Sequence, residues 1–487
     1  MLLIKNLRNI LSTNELKGRF LKGTIILSGA SAFEISLRFI RNIILTRLLA
    51  PEYFGLMATI LSTIAVSEAF TEVGVKQAVI QNKKGAKTEF LNAIWWFSSL
   101  RGACIFILAF MAAPHICEFF HSPEILLPMR LAFSTFIFRG LISPRMHVLE
   151  KELNYIKLII IRQGSAIISV LITIILSLYY KNIWPLVIGV IVENFFMCLL
   201  SFILLPYLPK LLIERFYLKE ILKFARLMVG LPIFTSIFFQ FDIFIIGRLL
   251  GMEQLGLYSV ARTLALVPVA AFGKTINRVL LPAFSKLQDS KVSLVKWLLK
   301  MTDLVSMICM PGVALGIIIS KPLLSLLFGH KYSSVSIPFS ILMLYVMVRL
   351  LSIIIMQLFF ALGRPDLQRY FAFFRILLVI VVAYPATKAF GLVGASSTML
   401  ICMFSLFIFQ VLWVLKLINM KIADYLLCLG RGLAVSSIVI LPGMFLRVIF
   451  QDTEVTMIVI GVILCIFSWG LAANMPYYKK IIIGESS

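Results

Sequence analysis

Three charged residues stand where charge is hardest to hold. Glu34, Arg38 and Arg41 lie within an apolar run long enough to cross a bilayer, and their spacing of four and then three residues puts them on one helix face. A charge facing lipid at the bilayer centre costs about 2.5 to 3.5 kcal/mol, so such residues face a partner or a hydrated path instead. An arginine there offers a planar fork of donors that grips phosphate or carboxylate oxygens in pairs. A glutamate offers a place for a proton or a cation. The pattern recurs along the chain, where 12 Lys and Arg fall within apolar runs beside six acids. That imbalance predicts a cationic interior built for an anionic substrate. Arg38, Arg41, Arg101, Arg139, Arg262 and Arg349 are the candidate substrate-binding residues, and Glu34, Glu68, Glu72 and Asp242 the candidate ion-coupling or gating acids. Glu193 and Asp303 complete the set of acids; Lys274, Arg278, Asp303 and Arg145, near the inner ends, read as interfacial anchors.

The elements that must position these groups follow from composition. The chain has 487 residues, 61% hydrophobic and 14% charged. A soluble core would need far more polar surface to cover it. Apolar runs of the length needed to cross a bilayer recur throughout, and the short alternating segments of a β-barrel do not appear. The expectation is an all-α integral membrane protein of about fourteen spans. The division expected is a cytoplasmic segment 1–21, a six-helix bundle 22–206, an amphipathic cytoplasmic linker 207–223, a second six-helix bundle 224–416, two further spans in 417–475, and a cytoplasmic tail 476–487.

The net charge of +24 is read first as a topology signal, not as a nucleic-acid footprint. Connections on one side carry 27 Lys and Arg and those on the other carry 7. By the positive-inside rule both termini are cytoplasmic, in agreement with an even number of spans. The seven cysteines show no CxxC spacing and read as packing residues. His115, Cys117, Glu118 and His121 are close in sequence, but their spacing fits no standard zinc site, and a solvated loop is expected there. No phosphate-binding loop or nucleophile motif is present, so the chain is not read as an enzyme.

The turn RLLAPEYFGL, Arg47 to Leu56, is echoed by RLLGMEQLGL, Arg248 to Leu257, 201 residues on. Both halves begin on the same side, as parallel repeats do, and two such bundles facing each other across a cleft form an alternating-access architecture. In this alignment Arg41 matches Asp242, and the two are a candidate ion pair. Pro232 and Pro268 sit in the helices around the second turn and are candidates for bending it.

These motifs, LLAPEYFGLMATILS with FTEVGVKQAVIQ, then DIFIIGRLLGMEQLGL with YSVARTLALVP, and LPAFSKLQ, resemble the multidrug/oligosaccharidyl-lipid/polysaccharide (MOP) exporter superfamily. More narrowly, they resemble its Wzx-type polysaccharide flippases, in the branch of colanic and teichuronic acid exporters. The resemblance implies a MATE-like fold of two pseudo-symmetric bundles and an inner-membrane location. It implies translocation of an undecaprenyl-diphosphate-linked oligosaccharide, with membrane lipids as surroundings and polysaccharide polymerase and export machinery as candidate partners. No cofactor is implied beyond coupling to a proton or sodium gradient. A peptidoglycan-precursor flippase and a multidrug exporter are the alternatives within the superfamily. A membrane polymerase or ligase is the alternative from another class, which the short outer connections disfavour.

Overall fold

A computed structural model describes residues 15–71, 79–80, 85–152, 154–210, 231–449 and 454–474; side chains are not described for 15–25, 28, 71, 231, 274, 275, 278, 446–449, 454 and 471–474. Among the described residues the regular structure is helical throughout. Among these residues nine helices are long and apolar enough to cross a membrane, ten if one bent pair counts as a span. The chain is a multi-pass membrane protein. It divides into two compact units, residues 1–240 and 241–487. Most of the expected linker 207–223 lies outside the described residues.

The first unit holds α1 (Glu15–Leu48), α2 (Pro51–Thr71), α3 (Thr88–Phe119), α4 (Leu126–Ala132), α5 (Ser134–Leu141), α6 (Arg145–Lys151), α7 (Ile156–Tyr179) and α8 (Trp184–Leu204). Pro51 opens α2, where its missing N–H is no loss, and Glu52 follows in the first turn beside the positive end of the helix. A span expected from hydropathy over about 124–147 is broken: the Pro123–Leu141 stretch and α6 meet at 59°. The span expected over about 89–113 runs longer than its hydrophobic pattern suggests. α3 continues through His115 and Cys117 to Phe119, so the histidine-rich stretch is mostly helix and not a loop.

Within this unit α7 pairs with α8, α1 lies on α7, and α5 bridges α3 and α8. The contact of α3 with α5 is set by two glycines. A Cβ at Gly102 would meet the Phe136 carbonyl oxygen at 2.5 Å, and one at Gly140 would meet that of Ser98 at 2.7 Å. Backbones this close exclude any side chain at either position.

α9 (Leu231–Ala265) begins in the first unit and ends in the second. Its N-terminal part packs on α2: Ser62 Oγ donates to Gln240 Oε1 at 3.1 Å and Ser236 Oγ to the Ala65 carbonyl at 3.1 Å. The second unit continues with α10 (Val267–Lys286), α11 (Lys291–Ile318), α12 (Ser320–Phe328), α13 (Ser336–Ala361), α14 (Pro365–Ile418), α15 (Ile422–Ile449) and α16 (Glu454–Asn474). Its broadest packing joins α11 to α15 and α13 to α14. α9 breaks at Gly251 (φ 84°) and α14 at Gly391 (φ 56°), backbone angles that favour glycine. Each break falls where the sequence places a boundary between two spans. The repeated turn is thus built twice by different means, with Pro51 starting a new helix in one copy and Gly251 reversing the backbone in the other. Pro268 lies in the first turn of α10, where it starts a helix instead of bending one.

Candidate functional site

In the first unit the intramembrane charges form a ribbon across four helices. Arg38 on α1 donates from Nη2 and Nη1 to the two oxygens of Glu193 on α8, at 2.5 and 3.3 Å. Its Nε reaches Glu34, one turn earlier, at 3.2 Å. Next to Glu193 on α8 stands Asn194, whose amide donates back to the Val190 carbonyl at 2.8 Å and whose oxygen accepts from Arg139 Nε at 2.8 Å. Arg139, on α5, then pairs through Nη1 with Glu68 on α2 at 2.5 Å. The glycine contact of α3 with α5 holds the α5 backbone from which Arg139 projects.

The ribbon is not sealed. The side chains of Arg38, Glu193, Arg139 and Glu68 are 37, 20, 36 and 34% exposed. Glu193 stands near the middle of the 21 residues of α8, about 15 Å from either helix end at 1.5 Å per residue. Charges so deep and so open would be costly against lipid; they need water or a polar ligand. Arg41 lies beside them on α1. Its guanidinium makes side-chain hydrogen bonds to the Asn42 amide oxygen, at 3.2 and 3.4 Å, and no carboxylate among the described residues.

The second unit carries a cluster of another kind. Asp242 is only 1% exposed, and its carboxylate accepts from Arg262 Nε at 2.9 Å, from the Tyr258 hydroxyl at 2.9 Å and from the Ile243 backbone N–H at 3.0 Å. All of these lie on α9, Asp242 before the Gly251 break and Tyr258 and Arg262 after it, so the acid ties the two limbs of the bent helix together. Tyr345 on α13 is within electrostatic reach of Tyr258 and Arg262, and Arg349 donates to its hydroxyl at 3.4 Å. Arg375 on α14 is buried near the same tyrosine, against Met403 Sδ at 4.0 Å. Elsewhere in this unit Arg431 pairs with buried Asp303 at 3.7 Å.

The expected residues are therefore distributed as follows. Glu34, Arg38, Arg139 and Glu68 join one ribbon with Arg41 beside it, while Asp242, Arg262 and Arg349 share the second cluster. Arg101 lies on α3 with its Nε buried. Glu72 falls outside the described residues. Within the second unit Asp242 takes Arg262 as its partner, and within the first Arg41 takes Asn42. Asn194, central to the ribbon, and Tyr258 and Tyr345 are not among the candidates the sequence offers, whereas Glu193 and Arg375 are among its charges within apolar runs without being assigned a role. The available signal for Glu193 was an acid in the middle of an otherwise apolar span.

Outside the spans, Arg145 anchors the end of α8. It donates to the Pro206 carbonyl at 2.6 Å and lies over the Tyr207 ring at 5.9 Å. Burial pushes the Tyr207 hydroxyl up to about 12 despite this neighbour, which keeps it a neutral donor to the Asn92 amide oxygen. No group of three or more His, Cys, Asp or Glu able to hold a metal occurs among the described residues.

Comparison with known proteins agrees with this architecture. The chain is 26% identical to an "uncharacterized membrane protein in cps region" of Klebsiella pneumoniae, over 80% of each chain. It is 22% identical to the lipopolysaccharide biosynthesis protein WzxC of Escherichia coli (strain K12), over 75% of each. The fold matches the lipid II flippase MurJ in an inward closed conformation, with TM-score 0.73 and 18% identity, across 94% of this chain and all of that one. A family model described as polysaccharide biosynthesis protein matches residues 44–338, more than half of the sequence, and covers both copies of the repeated turn, α8, and Asp242 with Tyr258 and Arg262. The chain belongs to the polysaccharide biosynthesis protein family.

Proposed function

We propose that this protein is a flippase that carries a lipid-linked oligosaccharide, the repeat unit of a surface polysaccharide, from one leaflet of the plasma membrane to the other. The observation that carries the reading is the partly exposed ribbon Glu34–Arg38–Glu193–Asn194–Arg139–Glu68 at the depth of the bilayer. A sugar headgroup and its diphosphate lose their hydration shells on entering hydrocarbon, and a row of paired charges with polar amides replaces those contacts. Arginine suits the diphosphate in particular, since its fork binds phosphate oxygens in pairs. The lipid tail needs no such help and stays in hydrocarbon. Family membership supports the cargo class, and the undecaprenyl diphosphate carrier follows from the resemblance to Wzx-type flippases. The protein acts as a carrier in an alternating-access cycle and makes or breaks no covalent bond. Within the first unit, Arg38, Arg41 and Arg139 are assigned to the anionic cargo, with Arg101 in a supporting position. Glu34, Glu68 and Glu193 are the groups available to a proton or sodium ion. Both termini are cytoplasmic in this reading.

The test is leaflet transfer in reconstituted vesicles. Headgroup-labelled undecaprenyl-diphosphate oligosaccharide is loaded in one leaflet, and its accessibility to an impermeant quencher is followed with and without ion gradients. The protein is expected to expose the label to both sides, and Arg41→Ala to slow the exchange at least tenfold. A headgroup that remains in its original leaflet under every gradient refutes the assignment.

A further inference from the structure

Glu193 occupies the part of Arg38 that an anionic ligand would take. The guanidinium has two usable edges. Its Nε side meets Glu34 on the same helix at 3.2 Å, and the Nη1–Nη2 fork meets both oxygens of Glu193 from α8. The second arrangement is the two-pronged geometry by which arginine binds phosphate. The pair is partly exposed, Arg38 by 37% and Glu193 by 20%. Arg41 lies on the same face of α1, bonded to the amide of Asn42, and offers a second cation to whatever displaces Glu193.

Building on the flippase reading, we propose that Glu193 is a resident competitor anion that sets the threshold for cargo binding at Arg38. Its carboxylate is the built-in ligand of the empty site, and only an anion richer in charge replaces it. A carboxylate sugar brings one charge and two oxygens, no more than Glu193 itself, and gains little by the exchange. A diphosphate brings more charge and enough oxygens to reach Arg38 and Arg41 at once. Glu193 thus makes the site selective for phosphate esters of two or more charges over sugar carboxylates. Displaced Glu193 remains beside Asn194, whose oxygen already serves Arg139, so the exchange at Arg38 need not disturb the Arg139–Glu68 pair.

The test is calorimetric titration of purified, detergent-solubilised protein with inorganic pyrophosphate and, separately, acetate, at one pH and ionic strength. Glu193→Gln is expected to raise pyrophosphate affinity about tenfold, within the usual range of coupling between two sites, and to let acetate bind measurably. Adding Arg38→Gln to that variant is expected to abolish the gain. Unchanged or weaker pyrophosphate binding in Glu193→Gln overturns the proposal, as does a gain that survives loss of Arg38. Should Glu193→Gln fail to give monodisperse protein, Glu193→Asp withdraws the carboxylate from Arg38 while keeping its charge; a gain in the same direction supports the proposal and no gain overturns it. Leaflet transfer measured on the same preparations separates the two ideas. Transfer with no effect of Glu193 on pyrophosphate overturns this inference and leaves the flippase standing. A Glu193 effect without transfer does the reverse.

Discussion

Asp242 and Glu193 are both acids within apolar helices, yet their surroundings suit them to different tasks. Asp242 is closed off, with three donors on its carboxylate, and ties the limbs of α9 on either side of Gly251. Removing one donor leaves part of a buried anion unsatisfied, at a cost of about 1 to 2 kcal/mol. Tyr258→Phe is therefore expected to lower stability by that amount in a chemical-denaturation series in detergent. Asp242→Ala strands the Arg262 guanidinium, itself only 18% exposed, and is expected to cost about 3 to 5 kcal/mol. A smaller loss than for Tyr258→Phe would show that Arg262 finds another anchor. The arginines were legible in the sequence because charge in an apolar run has few structural excuses. Their partners were not. Glu193 is 155 residues from Arg38 and Glu68 is 71 from Arg139, and one sequence carries periodicity along a helix but no distance between helices. The pair that could be read, Glu34 with Arg38, is the one that closes within a single turn.

At the scale of elements, hydropathy identified an all-helical membrane protein, because lipid imposes a length and forbids polar backbone. It served poorly where one helix runs past its apolar stretch, as α3 does through His115, or where two spans share a helix across a single glycine, as α14 does at Gly391. Nothing in the pattern marks the Gly102–Gly140 contact either, since a glycine reads the same whether it faces lipid or another backbone. That contact fixes the α5 backbone under Arg139. Gly140→Leu drives a side chain into the Ser98 carbonyl, and overpacking of this kind costs about 1 to 3 kcal/mol. The expected outcome is reduced thermal stability together with loss of transfer, while the same substitution at Gly430, where a Cβ would meet nothing within 4 Å, leaves both nearly unchanged.

For the whole molecule, the chain divides into two compact units at residue 240, inside α9. Two serine hydrogen bonds join the first limb of α9 to α2, a contact that hydropathy does not register. Orientation is open to a direct check: a fluorescent reporter fused after Ser487 is expected to be bright, and an enzyme reporter that matures only outside the cytoplasm is expected to be inactive there.

The span of 155 residues between Arg38 and Glu193 also has a meaning in time. At 5 to 20 residues per second of synthesis, α1 is in place for roughly 8 to 30 seconds before the acid of α8 is made. During that interval Arg38 has Glu34 alone for company. The local pair is expected to matter most while the first helix enters the bilayer, and the long-range pair afterwards. Glu34→Gln is accordingly expected to reduce the amount of inserted protein more than Glu193→Gln does, when newly made chains are followed by pulse labelling and membrane extraction. Equal yields would place the decisive step after α8.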